Sequence, residues 1–368
     1  MSDPKKPKHT RPTMQAIADR AGVSRATVSL ILTNRQEIVE RFKPETVAKV
    51  REIAEEMGYQ ANIMALSLRA PHPSFYGLIL RGSGVADAIS WHHQAFEGQF
   101  LAGALEASRL LGLYPVLATQ DSPDPEAALK RVRGVLDGGV FGAILRTPRP
   151  VLAEAVRRQI DQCLPVVVVF PEDHTNFPTN AIDVDNVAAG KVAAQLLRAA
   201  DRHKLLLIQD EMTWEAIRLR NEGFLTVAQG AGADVRVLTV PGGMNGEQIE
   251  AWLATQLKDI RPDGVYTASS VTGVEAMMAC QAAGLRVPEE ASLVGSDAAL
   301  WRAPGCPAIT SVDVSWYKVG ELAVNKMAEL QEKEQWTFEN LNLPPCIRVG
   351  GTCPVGTSAG AEVVLLEA

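Results

Sequence analysis

The stretch TMQAIADRAGVSRATVSLIL (13–32) decides how the N-terminal part of the chain folds. Its helix signals are, in order, a Thr13 cap, a helix over 14–21, a Gly22 stop, a Ser24 cap and a helix over 25–32. Ser and Thr accept hydrogen bonds from the first amides of a helix, and glycine adopts the left-handed turn that ends one. Two short helices joined by such a turn predict a helix-turn-helix.

Charge is distributed unevenly along the 368 residues. The whole chain has a net charge of −7, yet residues 1–70 carry +4 and the remainder −11. A basic head on an acidic body indicates a polyanionic partner for the head alone. A helical pair used only for packing would show the same spacing, but the Lys- and Pro-rich arm over 1–12 and the exposed Arg25, Thr27 and Ser29 favour DNA binding.

The head resembles that of LacI/GalR repressors. The similarity runs from 13–32 through a third helix, KPETVAKVREIAEEMGYQAN (43–62), to a hinge-like ALSLR (65–69). The resemblance implies phosphate contacts, which orient the head without reading sequence, by Thr13, Ser24, Thr27, Ser29, Asn34 and Thr46. It implies base-facing positions for Met14, Arg25, Ala26 and Leu30.

Arg25 is the only one of these base-facing residues able to contact a guanine with two hydrogen bonds, worth about 1–3 kcal/mol of discrimination. Leu68 resembles the hinge leucine that is wedged into the minor groove at the operator centre. Because a wedge of this kind needs two hinges side by side, the resemblance implies a homodimer on a near-palindromic operator. The tail lacks the heptads of a tetramerising coiled coil, so a dimer is preferred.

From residue 75 onward, apolar strands alternate with helical stretches. The predicted strands are 75–80, 114–119, 141–145, 165–170, 204–208, 235–240, 264–268 and 291–295. This alternation predicts right-handed βαβ crossovers and parallel sheets. A second series begins around DVDN (183–186), which favours two lobes with a cleft between them. The predicted fold is therefore an all-α helix-turn-helix head and an α/β two-lobed body.

The body resembles the periplasmic sugar-binding fold, which binds ligand between its lobes. In IRLRNEGF (217–224) Arg220 falls on the family position that reaches the ligand, and in VGSDA (294–298) Asp297 falls on a hydroxyl acceptor; we expect the two to face each other across the cleft. The effector-binding residues predicted in this way are Phe96, Phe170, Arg220, Met244, Ser269 and Asp297. Several depart from the family pattern, so the pocket is predicted to be less sugar-like and more aromatic.

The predicted domains are an arm (1–12), the helix-turn-helix head (13–60), a hinge and linker (61–74), the effector-binding and dimerisation body (75–348) and a tail (349–368). No stretch is long and apolar enough to span a membrane, no signal peptide is present, and the five cysteines lack CxxC spacing, so a cytoplasmic location with reduced thiols is expected.

No enzymatic activity, cofactor or metal site is predicted. GTSAG (356–360) matches a nucleophile elbow, but no histidine follows it in the chain. Adjacent His92 and His93 would point to different faces of a helix and make a poor metal site.

Two functions remain open. One is a ligand-switched repressor that binds operator DNA, with the effector acting as inducer or as corepressor. The other is a cytosolic small-molecule-binding module whose helical head serves assembly.

Overall fold

The computed structural model describes residues 12–32, 41–59, 74–81, 90–120, 122, 124–171, 176–177, 179–211, 215–296, 307–333, 339–354 and 362–365, with the backbone alone for 90–96, 270–271 and 362–365. The chain divides into two compact units, Met1–Ser74 and Phe75–Ala368. Asn34 and Leu68, two of the predicted DNA contacts, lie outside the described residues, and so does Asp297.

The described residues of the first unit form three helices, α1 (Met14–Ala21), α2 (Arg25–Leu32) and α3 (Pro44–Glu56). Thr13 Oγ1 accepts a hydrogen bond from the Ala16 amide at 3.2 Å, and Gly22 ends α1 with φ 73°. The apolar faces of the three helices meet in a small core, whose largest fully buried members are Ile17 and Ile31. The predicted helix-turn-helix and its caps are confirmed.

The second unit is built on two sheets of mostly parallel strands. The first sheet has the order β11-β5-β4-β3-β1-β2 and the second β13-β12-β10-β9-β8-β6-β7. The strands of the first sheet are β1 (Phe75–Leu80), β2 (Tyr114–Thr119), β3 (Ala143–Arg146), β4 (Val166–Val169), β5 (Asn180–Val184) and β11 (Asn340–Leu343). Those of the second are β6 (Lys204–Asp210), β7 (Asp234–Val240), β8 (Gly264–Thr267), β9 (Ser292–Ser296), β10 (Thr310–Asp313), β12 (Cys346–Val349) and β13 (Glu362–Leu365).

Helices cover both faces of each sheet. Those on the first sheet are α4 (Ser90–Leu111), α5 (Pro125–Leu136), α6 (Ala153–Asp161) and α11 (Trp316–Glu332); those on the second are α7 (Asn186–Ala199), α8 (Glu215–Gly230), α9 (Gly246–Ile260) and α10 (Ser270–Ala282). We call each sheet with its helices a lobe. The predicted two-lobed α/β architecture is confirmed.

The chain passes between the lobes three times: at Asp185 (β5 to α7), at Val314 and Ser315 (β10 to α11), and at Pro344 and Pro345 (β11 to β12). A helix packed on a parallel sheet runs against the strands, so α7 and α11 begin at the carboxyl ends of the strands they cover. β12 runs antiparallel to β10 and therefore begins at that same end of the second sheet. All three connections thus join the carboxyl ends of one sheet to those of the other, and the two edges border a common cleft.

All eight predicted strands exist, with small changes at their ends. Five strands were not predicted, namely β5, β10, β11, β12 and β13, because each is short and most are interrupted by polar residues. Val349 still belongs to β12, and β13 pairs in parallel with it. A body ending at 348 would therefore cut through a strand of the second sheet.

Candidate functional sites

The second helix of the head presents one face to solvent. Val28 and Ile31 are buried, whereas Arg25, Ala26 and Leu30 are exposed on the opposite side, and Ser29 is half-buried beside them. Ser24 Oγ accepts a hydrogen bond from the Thr27 amide at 3.0 Å and lies 2.8 Å from Thr27 Oγ1. The cap therefore places both hydroxyls at the N-terminus of α2, the end that a recognition helix directs to DNA.

Other predicted DNA contacts of the head lie on its remaining helices. Thr13 is exposed at the cap of α1 and Met14 is half-buried behind it, while Thr46 occupies the first turn of α3. Burial raises the pKa of the Tyr59 hydroxyl, and the positive charge of Arg25 opposes that rise.

Arg220 lies buried at the carboxyl edge of the second sheet, which we call the second-lobe edge. Its Nε donates a hydrogen bond to Asn186 Oδ1 at 2.9 Å, and its Nη1 donates to the Ala268 carbonyl at 3.3 Å. Asn186 is the first residue of α7, and Ala268 follows β8. The guanidinium thus joins the first interlobe connection to the strand ends of the second lobe.

Carboxyl groups accompany Arg220 at this edge. Asp210 ends β6, and Ser269 Oγ donates a hydrogen bond to it at 3.4 Å. Burial raises the pKa of the Asp210 carboxyl. Glu275 of α10 has its pKa raised to about 7, first by burial and then by the negative charges of Asp210 and Glu250. The edge therefore combines hydrogen-bond donors and acceptors with carboxyls that take up protons readily.

The other residues predicted to bind the effector lie in different parts of the body. Met244 is half-buried in the turn between β7 and α9, and Phe96 lies on α4, where only the backbone is described. β9, which leads into Asp297, belongs to the sheet against which Arg220 packs. Asp297 itself lies outside the described residues, so its expected position opposite Arg220 across the cleft stays a prediction.

Phe170 belongs to a cluster at the carboxyl edge of the first sheet, the first-lobe edge. Its ring meets the Trp316 ring edge-on, with centroids 4.9 Å apart. The Arg146 guanidinium lies 5.0 Å from the centroid of the Trp316 ring and forms a 2.8 Å ion pair with Glu97, with side-chain exposures of 10% and 19%. Sequence reasoning missed Glu97, Arg146 and Trp316, although Arg146 follows a run of apolar residues at a strand end.

Backbone strain marks the same edge. Thr147 and Phe170 directly follow β3 and β4 and have φ of 44° and 52°. A β-branched or aromatic residue adopts such angles only where its surroundings impose them. The Thr147 amide donates to the Val169 carbonyl at 2.7 Å, and the buried Gln120 side chain donates to the carbonyls of Arg146 and Thr147 at 3.0 and 3.3 Å.

Within the described ranges, no group of His, Cys, Asp and Glu is arranged to hold a metal ion, and no helix is long and apolar enough to cross a membrane. Cys280, Cys346 and Cys353 are buried free thiols and Cys163 is exposed.

Comparisons with known proteins match both units. Residues 13–62 match the model described as "Bacterial regulatory proteins, lacI family", and residues 195–353 match the "Periplasmic binding protein-like domain". The chain is similar to the HTH-type transcriptional regulator CelR of Thermobifida fusca (28% identity, 87% of this chain and 91% of CelR) and to the ribose operon repressor of Escherichia coli K12 (23%, 92% and 99%). Catabolite control protein A of Staphylococcus epidermidis is 24% identical over 92% of this chain and 98% of that protein.

Solved structures share the fold. The lac repressor dimer bound to operator and the anti-inducer ONPF superimposes with a TM-score of 0.73 at 22% identity, covering 93% of this chain and 99% of that one. A complex of the transcriptional regulator CelR with cellobiose gives 0.59 at 23% identity, covering 93% and 100%. At these identities the likeness concerns the architecture.

Proposed function

Because this chain is a LacI-family transcriptional repressor, we propose that it binds a near-palindromic operator as a homodimer and is switched by a small polar effector in the cleft between its lobes. The DNA-binding part of the proposal rests on α2, which has one buried face and one exposed face. Val28 and Ile31 are buried in the head, while Arg25, Ala26 and Leu30 face solvent. A helix used only for assembly has no need of an exposed guanidinium at its N-terminus.

The effector part rests on the second-lobe edge. Arg220 is held between Asn186 and the Ala268 carbonyl, so a ligand that contacts the guanidinium also acts on the connection at Asp185. A ligand that favours one angle between the lobes shifts the population of the dimer toward that state. In this proposal the hinge around Leu68 transmits the shift to the head.

The operator is found by selecting the purified protein on random duplex DNA at two salt concentrations. We expect an enriched palindrome and an affinity that falls steeply as salt rises, because phosphate contacts release counterions. A flat salt response with no enriched sequence would support the alternative, in which the head serves assembly. Salt-sensitive binding without enrichment would indicate that DNA recognition requires a corepressor.

Base reading by Arg25 is tested with Arg25→Ala on the selected operator, and Lys49→Ala on α3 is the matched control because it also removes one exposed positive charge from the head. We expect Arg25→Ala to weaken operator binding by about 1–3 kcal/mol and to relax the preference at one base pair in each half-site. Lys49→Ala should leave the selected sequence unchanged. Equal weakening on all sequences by both variants would contradict a base contact by Arg25.

A further inference from the structure

We propose that the effector is a hydroxylated anion, whose carboxylate or phosphate binds at the first-lobe edge beside Arg81 and Arg146 while its hydroxyl groups contact the second-lobe edge. This inference rests on the proposed function, since it names the class of molecule that the cleft accepts.

The two arginines end neighbouring strands. β1 pairs in parallel with β3 up to Ile79 opposite Leu145, so the next residues in register bring Arg81 opposite Thr147, directly after Arg146. Arg81 Nη1 donates to the Thr147 carbonyl at 3.3 Å, which holds its guanidinium against the tip of β3. The two arginines therefore lie at the ends of adjacent strands of this edge.

Arg146 is fixed in place before any ligand arrives. Its guanidinium packs on the Trp316 ring and pairs with Glu97, and its own carbonyl accepts a hydrogen bond from Gln120. A guanidinium held in one plane loses little freedom when it binds an oxyanion with two parallel hydrogen bonds. A buried ion pair contributes little net stability, so positioning Arg146 is a better account of Glu97 than stabilisation is.

Four arginines lie at the described part of the first-lobe edge, because Arg131 and Arg149 add to Arg81 and Arg146 there, with their guanidiniums bonded to the carbonyls of Thr119 and Ser122. The carboxylates described at this edge are Glu97, which pairs with Arg146, Asp124, which caps α5, Asp183, the last residue but one of β5, and Asp185, which caps α7. Asp183 and Asp185 lie at the end of β5, and β4 separates that strand from β3. The guanidiniums are therefore grouped at the part of the edge formed by β3, β1 and β2.

Thr147 and Phe170 supply an independent indication of a ligand clamp. The register places Arg146 opposite Val169, so these two strained residues follow neighbouring strands side by side. Strain of this kind persists where the structure enforces it, and it is frequent at ligand sites. Here Thr147 directly follows Arg146, and Phe170 directly follows the end of β4.

The opposite edge has the contrary character. Asp210, Glu211 and Glu275 lie near the carboxyl ends of the second sheet, together with the Ser269 hydroxyl and Arg220. Carboxyls, hydroxyls and a guanidinium suit the hydroxyl groups of a ligand, whereas the first-lobe edge groups its guanidiniums at the ends of β3, β1 and β2. The anionic end of the ligand therefore belongs to the first-lobe edge. Sugar acids and sugar phosphates share this chemistry.

The test is a ligand panel at fixed ionic strength. It contains several neutral pentoses and hexoses, the matching uronic and aldonic acids, and the matching sugar phosphates, each titrated by calorimetry into the full-length protein. We expect one anionic member to bind at least about tenfold more tightly than its neutral parent, the effect of one charge-assisted hydrogen bond. Carboxylate and phosphate arms show which anion the site takes. The proposal is overturned if no anion binds more tightly than its parent.

Variants separate contact from general charge. Arg81→Gln should reduce the affinity for the anion about tenfold or more while leaving the neutral parent unchanged. Arg131→Gln removes the same charge from a side chain bonded to Thr119 and should leave the anion affinity within about twofold. Equal losses of anion affinity in both variants would show that the anion responds only to the overall charge of the edge. That result would overturn the proposed contact with Arg81. Arg146→Gln alone would leave the buried Glu97 carboxylate without its ion-pair partner. The double variant Glu97→Gln with Arg146→Gln therefore tests the contribution of Arg146 to anion binding.

Operator binding is measured on the same preparations. An anion that binds to a protein without operator affinity would leave this inference standing and the proposed function contradicted. Operator binding that responds only to neutral sugars would support the proposed function and overturn this inference.

Discussion

Gly190 of α7 lies against the backbone carbonyl oxygen of Arg220 on α8, so closely that a Cβ atom added to Gly190 would stand 1.8 Å from that oxygen. The contact is reciprocated, because a Cβ on Gly223 would stand 2.1 Å from the Val187 carbonyl oxygen. The two helices therefore meet backbone to backbone. This close approach brings Arg220 within reach of Asn186, one turn before Gly190.

The first prediction concerns that approach. Gly190→Ala forces α7 and α8 apart, and we expect the body to lose about 1–3 kcal/mol of unfolding free energy, as overpacked interiors do. Urea unfolding followed through the body transition measures the loss. Gly230→Ala is the matched control, since nothing lies within 4 Å of its added Cβ at the end of α8. Equal stability of both variants would contradict the close packing.

Gly190→Ala should also weaken effector binding, because Arg220 moves with its helix. Calorimetry with the ligand identified by the panel provides the readout. Affinity equal to that of the Gly230→Ala protein would show that Arg220 does not depend on this packing.

The second prediction concerns pH. The pKa of the Glu275 carboxyl is raised from 4.5 to about 7 in the folded protein. The folded state therefore holds the proton more tightly than the unfolded state, and the associated stability is complete below about pH 4.5 and lost as the pH rises through about 7. One pKa unit corresponds to about 1.4 kcal/mol, so the loss is at most roughly 3 kcal/mol.

Glu275→Gln stays neutral at every pH. We expect this variant to match the parent near pH 5 and to be the more stable of the two at pH 8 when both are unfolded in urea. Glu289→Gln, which changes an exposed carboxyl of the same lobe, should show no such divergence. A parent and a Glu275→Gln variant with parallel pH profiles would refute the buried protonated carboxyl.

The third prediction concerns the connections between the lobes. Asp313 ends β10 just before the second connection, and Arg348 lies on β12 just after the third. Their ion pair measures 2.9 Å, with side-chain exposures of 5% for Asp313 and 19% for Arg348. Removing one member leaves the other charge buried, at a cost of about 3–5 kcal/mol.

A double-mutant cycle checks this pair. Asp313→Asn and Arg348→Met should each destabilise the body, and the double variant should be less destabilised than the sum of the two single variants. Strict additivity would mean that the two side chains act independently of each other. The Lys326–Glu339 pair, which is more exposed, serves as the comparison cycle and should show a coupling below about 1 kcal/mol.

The fourth prediction concerns the head. Ser24→Ala removes the side-chain cap of α2 and should cost about 1 kcal/mol. Hydrogen exchange of the full-length protein should show faster exchange in α2, with the body unchanged. Thr13→Ala removes the cap of α1 and is the reciprocal control, with the faster exchange confined to α1. Faster exchange in both helices of both variants would indicate that the head opens as one unit.

The sequence predicts the head well because its signals are local. The Thr13 cap and the Gly22 stop lie within a few residues of the helices they bound, and the structure confirms both. Apolar runs likewise identify the eight predicted strands, β1 to β4 and β6 to β9. NLNL of β11 carries no such signal, because it becomes a strand by pairing with β5 far earlier in the chain.

The candidate sites show the same difference between local and long-range signals. Arg220 could be placed from a contiguous motif, and the structure holds it at strand ends. The cluster at the first-lobe edge could not be predicted, because its members are far apart in the sequence. Glu97 and Arg146 are 49 positions apart, and Trp316 follows five strands of the second sheet, β6 to β10, in the chain. Only the fold makes them neighbours.

The three passages between the lobes also determine when the protein can first work during its synthesis. One face of the first sheet is covered by α11, whose Val319, Val324 and Met327 are buried there, and β11 completes that sheet. A nascent chain that has emerged only as far as the second sheet therefore has a head, but its first lobe still lacks α11 and β11. Under the proposed function such a chain could contact DNA before it could respond to any effector, and it depends on residues 316–343 to complete the first lobe.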